Sequence, residues 1–370
     1  MPTTASIIAE SDLIRTATSA HPPRPRNPRP IVTIGAGGIV RAAHLPAYQK
    51  AGFPVIAVSD PAPGTAERLA TDFNIPRHFS SIAEAIAFAP PDAVFDVAVP
   101  ASQLLNILPL LPESSTVLMQ KPMGETLDEA RAIRDLCRRR SLLAAVNFSL
   151  RYSPNNLAAV ALFKQGLLGD LHDMEVQTRT YTPWQLWTFL ATAPRLEILY
   201  HSIHYLDLVR SWFGNPLGVY AKTVRNPQTA ALAATKSTII LDYGDSKRVL
   251  VTTNHGHDFG DRYQHSFAQW EGTGGAARIT MGLNLDYPHG KPDTLEYAQR
   301  GDPAKQWHQL PVLGENFPDA FIGTMGALQA FAEGSTTTLP SHFEDAFHTM
   351  ALVEACYNSS QQSAQPVALE

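Results

Sequence analysis

The chain has 370 residues, more than one compact domain commonly holds, so two domains are the natural first count. Hydrophobic residues at 44% and charged residues at 17% supply a sizeable core and exclude an intrinsically disordered chain. Lys plus Arg at 29 nearly balances Asp plus Glu at 34, for a net charge of −5, which argues against nucleic acid as a partner.

No window reaches the roughly 18 consecutive apolar residues of a membrane span, and the first residues lack a compact apolar core followed by a cleavage site. The two cysteines, Cys137 and Cys356, build neither a disulfide framework nor a Cys-rich zinc site. The expectation is a soluble cytoplasmic protein.

Residues 1–29 read as an arm. Ser6–Thr18 has the spacing of a short amphipathic helix, and residues 21–30, HPPRPRNPRP, hold five prolines that remove amide donors and favour extended polyproline geometry. A flexible, solvated linker is expected there, its three arginines free to meet a phosphate or a neighbouring subunit.

From Pro30 the pattern changes. IVTIGAGGIV is a β-branched run broken by glycines, and RAAHLPAYQKAG after it has helical spacing, which predicts strand, turn and helix. A second strand ends at Asp60 and is followed by a helix over Thr65–Phe73. Further strands end at Pro100 and Lys121 and run through LLAAVNF, with helices near Ile82–Phe88, from Gln103 and over Thr126–Arg140. Strands alternating with helices predict a parallel, doubly wound sheet over residues 30–150.

Beyond Arg151 a helix over Asn156–Gln165 stops at Gly166, and β-rich segments then follow one another with only the 196–213 helix among them. Residues 151–370 therefore predict an α+β domain with an open-faced, mainly antiparallel sheet. Two helices end it, one with Phe321, Met325, Leu328 and Phe331 on a face, the other over Phe343–Tyr357.

Gly35, Gly37 and Gly38 follow the first strand and open the first helix, the context in which backbone amides and a helix N-terminus receive a pyrophosphate. Ile39 follows them, and the sixth position of the motif is Val40 in place of Gly or Ala. Asp60 stands 25 residues after Gly35, near the offset at which an acid meets the adenosine ribose, and a carboxylate there repels a 2′-phosphate. NAD is expected in preference to NADP.

Val99-Pro100 and Gln120-Lys121 lie at the carboxyl ends of parallel strands, where such sheets place their ligands. A lysine there hydrogen-bonds a substrate hydroxyl and helps move its proton once burial or charge tunes it. In the helix around 200, Tyr200 and His204 fall at i and i+4 on one face, with His201 on another.

In this order the motifs resemble the Gfo/Idh/MocA family, the glucose-fructose oxidoreductase and inositol dehydrogenase group. The resemblance rests on the glycine turn, Asp60, Val99-Pro100, Gln120-Lys121-Pro122, residues 147–154 (NFSLRYSP), Gly166–Gly169, the helix of His204, the EGTGG run at 271–275 and the last helix. It implies a Rossmann domain followed by the open-faced sheet, a bound dinucleotide, and a sugar, polyol or related hydroxyl compound between the domains. It also implies homodimers or homotetramers.

The family's catalytic residues carry over to Lys121 and His204. Where the family often has Asp four residues before the histidine this chain has Tyr200, and Gln120 replaces a usual glutamate, so two carboxylates are missing near the reaction centre. Tyr200 is then a candidate to orient His204 or to relay a proton.

Asn147 and His201 are further substrate-contact candidates. Arg151 and Tyr152 read equally well as cofactor or substrate contacts and as a structural pair at the domain junction. Trp184 and Trp187 stack on a sugar ring or fill core. His255, His257 and His265 raise the question of a metal, but no carboxylate or cysteine stands at a convincing spacing and none is expected.

The sequence thus points to an NAD-dependent oxidoreductase acting on a secondary hydroxyl of a sugar, sugar derivative or cyclitol. Its rivals are an NAD-recycling lyase, epimerase or glycosidase-like enzyme working by transient oxidation, and a non-catalytic dinucleotide-binding sensor.

Overall fold

A computed structural model describes residues 7–364; Ser6, where the predicted arm helix starts, and residues 365–370 of the second domain lie outside the described residues. Six short strands make the first sheet: β1 (Ile31–Ile34), β2 (Val55–Ser59), β3 (Arg77–Phe79), β4 (Val94–Val97), β5 (Thr116–Met119) and β6 (Leu143–Val146). They run parallel in the order β3-β2-β1-β4-β5-β6. Helices cover both faces, so β1, β4 and β5 are buried at every residue and are mainly apolar, with Thr33, Asp96 and Thr116 as the buried polar exceptions. The strand order reverses between β1 and β4, which opens a crevice at their carboxyl ends.

Local chemistry starts the crossover helices. Ser81 accepts from the Glu84 amide at the head of Ile82–Phe88, and Thr126 accepts from the Glu129 amide at the head of Leu127–Arg139.

The second sheet has eight strands: β7 (Leu171–Arg179), β8 (Gly218–Val224), β9 (Lys236–Asp242), β10 (Arg248–Asn254), β11 (His265–Gly272), β12 (Gly275–Thr280), β13 (Thr294–Gln299) and β14 (His308–Leu310). Their order is β14-β13-β12-β11-β7-β10-β9-β8, antiparallel throughout except for the parallel pair β7 and β10. Alternate residues of β9 and β10 are buried, the period of a sheet packed on one side. On the open side the paired residues Tyr220 and Ile240 are exposed.

The arm differs from expectation, and one helix packs across the expected domain boundary. The arm is docked rather than free, although most of its described residues still face solvent. Its helix, Glu10–Thr18, buries Leu13 and Ala17 and packs on the helix Pro154–Lys164. The amides of Arg26 and Asn27 donate to Glu333, and that of Arg29 donates to the Gln329 side chain. The prolines leave few amides, and these acceptors at the end of one helix satisfy three of them.

The helix Asp319–Ala332, expected in the second domain, packs against the first. It is buried on all sides, and its Phe321, Met325 and Leu328 share a core with Ile31, Tyr48 and Leu118. The helix Phe343–Gln361 packs on both β8 and Leu127–Arg139 and so touches both domains.

Candidate active site

A cleft of about 640 Å³ lies between the sheets. The first domain lines it with Gly37, Gly38, Val99 and Lys121 among others. The second contributes Thr182, Trp187, His201, His204, Asn284 and Tyr287.

The glycine turn shapes one end. Gly35 has φ +101°, and a Cβ on it would stand 2.3 Å from the Ala98 carbonyl oxygen, so no other residue fits. A Cβ on Gly37 or Gly38 would meet nothing within 4 Å, which leaves the head of the following helix open toward the cleft. That cradle, at the head of the helix, fits a pyrophosphate. Asp60 accepts hydrogen bonds from the Ala36 and Ala62 amides, at 2.8 and 2.9 Å, and so braces the turn from the end of β2.

Beneath the cleft lies a buried polar chain that the sequence reading missed. Asp96, in β4, sits 2.8 Å from Nδ1 of His44, and the Gln120 and Asn147 side-chain amides each stand 3.3 Å from His44 Nε2. Both imidazole nitrogens are thereby engaged, and Gln120 and Asn147 are held at the cleft wall. Gln120 also accepts from the Lys121 amide at 2.8 Å. A carboxylate at position 120 would have no hydrogen to give His44, which accounts locally for glutamine there. The signal was available: a lone aspartate inside the apolar strand VFDV needs a buried partner.

Lys121 Nζ donates to the Tyr200 carbonyl oxygen at 2.7 Å. Burial lowers its ammonium from 10.5 to about 8. His204 is pushed well below its ordinary value by burial and then by the Lys121 charge, and its Nδ1 has no partner among the described residues. It is therefore a neutral imidazole at neutral pH. His201, lowered by burial and then by its neighbours His255, Lys121 and His204, faces the same cleft rather than a separate one.

Tyr200 differs from expectation. Residues 198–202 form a π turn ahead of the helix Ile203–Phe213, and the Tyr200 hydroxyl donates to Glu125 at 2.9 Å, so it does not hold His204. Burial and Glu125 both push that phenol up, away from proton-relay range.

Arg151 and Tyr152 lie outside the cleft. Arg151 binds Asp207 in two-pronged fashion, at 2.6 and 2.7 Å, and also Asp345 and the Pro340 carbonyl, so four of its five donors are used at the domain junction. Tyr152 packs against Gly323, where a Cβ would stand 2.3 Å from its own. Trp184 backs the cleft by stacking edge-on against His201 and His255, whereas Trp187 lines it beside Tyr287. Val99, Pro100, Ile39, Gln120 and Asn147 all line it. Thr182, Asn284 and Tyr287 were not anticipated, because loops and the single short turn of helix that holds Asn284 carry no periodicity to read. Among the described residues, no group of three or more His, Cys, Asp or Glu is arranged to hold a metal.

A glycine turn on a parallel sheet, facing a lysine and a histidine across a two-domain cleft, defines a dinucleotide-dependent oxidoreductase. Family comparison narrows this: the chain belongs to the Gfo/Idh/MocA oxidoreductase family, whose NAD-binding Rossmann-fold model matches residues 30–148 and whose C-terminal α/β-domain model matches residues 160–369. It is 23% identical over 328 residues to a D-apiose dehydrogenase of Rhizobium rhizogenes, covering 84% of this chain and 88% of that one. It is also 23% identical over 265 residues to an NADP+ scyllo-inositol 2-dehydrogenase of Bacillus subtilis, covering 66% and 70%. In fold it resembles an Agrobacterium radiobacter oxidoreductase crystallised with NAD+, L-tartaric acid and magnesium, with TM-score 0.72, 20% identity, and coverage of 90% and 96%.

Proposed function

We propose that the protein oxidises a secondary hydroxyl of a sugar, sugar derivative or cyclitol with NAD. The observation that carries this reading is the shared cleft of Lys121 and His204 at the mouth of the glycine turn. Bound there, the nicotinamide supplies a two-electron hydride acceptor. The residues that would hold the dinucleotide are Gly35, Gly37, Gly38, Ile39, Asp60, Val99, Pro100 and Gln120. Preference for NAD over NADP rests on the Asp60 carboxylate.

Lys121 Nζ, kept near the working pH by burial, hydrogen-bonds the reacting oxygen, and the neutral His204 imidazole takes its proton. Asn147, Trp187 and His201 border the place left for the substrate. The named activities of the sugar and cyclitol dehydrogenase relatives support the substrate class. The two free, buried cysteines suit a reducing cytoplasm. The exposed Tyr220–Ile240 face is the surface on which we expect a homodimer or homotetramer to form.

The test is purified protein with NAD, and separately NADP, against D-apiose, scyllo-inositol, myo-inositol and a panel of aldoses, sugar acids and glycosides. Reduced nicotinamide is followed by absorbance and substrate by chromatography. NADH formed with one compound, and lost in Lys121→Ala and His204→Ala, supports the reading. Substrate loss without net NADH supports internal recycling instead. Intact NAD binding with no turnover of any compound supports the sensor.

A further inference from the structure

A second polar chain reaches the cleft from the opposite wall, and the mechanism above does not use it. Glu197 is wholly buried, yet nearby groups hold it below the usual carboxylate range against the opposing effect of burial. The Ser202 hydroxyl donates to it at 2.7 Å, and the Ser237 hydroxyl also donates to it. Nε2 of the buried His255, an atom that makes no hydrogen bond among the described residues, stands 3.5 Å away, close enough to feel the charge. His255 Nδ1 is 2.8 Å from the Thr182 hydroxyl, and the Thr182 amide donates to the His255 carbonyl at 3.0 Å. Thr182 in turn lines the cleft. The order is carboxylate, imidazole, hydroxyl, cleft.

A buried anion aligns the imidazole beside it, because the tautomer carrying hydrogen on Nε2 puts a donor toward Glu197. Nδ1 then carries the lone pair and accepts from the Thr182 hydroxyl. With its one hydrogen spent inward, the Thr182 oxygen offers only lone pairs to the cleft.

We propose that Thr182, set by His255 and Glu197, is an acceptor-only post that receives a second hydroxyl of the substrate, distinct from the one oxidised. Thr182 contacts the substrate; His255 and Glu197 are positioning residues. The post selects a polyhydroxylated compound bearing a donor at that place and disfavours its deoxy or ether counterpart. This deepens the sugar or cyclitol reading and rests on it.

The test uses the full chain and the panel compound with the highest kcat/KM, together with its monodeoxy analogues. Thr182→Val should raise KM about tenfold, the loss of one hydrogen bond, while kcat falls less than threefold. It should also erase wild-type discrimination against one deoxy analogue. Thr182→Ser should stay within threefold of wild type. Nitrogen-15 spectra of the histidine rings, with His255 assigned by its loss in His255→Gln, should place the hydrogen on Nε2 in the wild type.

An unchanged KM in Thr182→Val, or hydrogen on Nδ1 of His255, overturns the post while leaving the oxidoreductase reading standing. No turnover of any panel compound by wild type overturns that reading and the post with it. The ring spectra still report separately whether His255 carries its hydrogen toward Glu197. Glu197→Gln should move the hydrogen to Nδ1, and should it fail to fold, the Thr182 pair decides.

Discussion

Lys121→Met should make the protein more stable and inactive at once. In the native state burial holds the Lys121 ammonium at about 8 against an ordinary 10.5, a difference worth about 3 kcal/mol against the folded form at pH 7. Methionine removes that cost but leaves the Tyr200 carbonyl without its donor, which costs about 1 kcal/mol. The net expectation is a gain of about 2 kcal/mol at pH 7.

The sign with pH follows from linkage. Below pH 8 lysine is charged in both states and the full cost applies. Between 8 and 10.5 the unfolded chain binds more protons, so wild-type stability rises, and by pH 10 the cost falls to about 1 kcal/mol. Urea unfolding of wild type and variant at pH 7 and pH 10 measures both values. A variant less stable than wild type at pH 7, or a difference that does not shrink by pH 10, refutes the reasoning that Lys121 is a desolvated cation.

His204→Asn should lower kcat about 10²- to 10⁴-fold while dinucleotide binding, followed by fluorescence quenching, changes little. Asp60→Ser should shift the ratio of NAD to NADP affinity at least about tenfold toward NADP, read by titrating both, because it removes the charge that opposes a 2′-phosphate. Gly35→Ala, forced to φ +101° against the Ala98 carbonyl, should cost more than about 2 kcal/mol in urea unfolding. Gly38→Ala, whose Cβ meets only open space, should keep its stability and lose affinity for the dinucleotide about tenfold.

Much of this fold was readable because its signals are local. The run IVTI before three glycines and the β-rich segments STIILDYG and KRVLVTTN announce strands by composition and flanking turn residues, and Phe321, Met325 and Leu328 recur at the spacing of one helix. Lys121 and His204 were legible through strand ends and helix spacing, and the structure brings them to one cleft. Tyr200 was misjudged for a local reason: a π turn offsets residues 198–202 from regular helical spacing, and Glu125, 75 residues away, supplies a partner no spacing rule reaches. Arg151 was ambiguous because its carboxylates, Asp207 and Asp345, come from distant helices. The arm misled because proline-rich composition describes a chain without acceptors nearby, and Glu333 and Gln329 lie about three hundred residues further along.

The return of the Asp319–Ala332 helix to the first sheet bears on how the protein is made. Ile31, Tyr48 and Leu118 emerge early from a ribosome, but the Phe321, Met325 and Leu328 that cover them emerge some two hundred residues after the last of these. The nucleotide-binding half therefore waits through synthesis with an apolar flank uncovered. Cutting the gene after residue 148, where the first family model ends, would leave that flank bare permanently and yield an aggregating fragment rather than a portable binding module. Completion of this domain is a late event, timed by the far end of the chain.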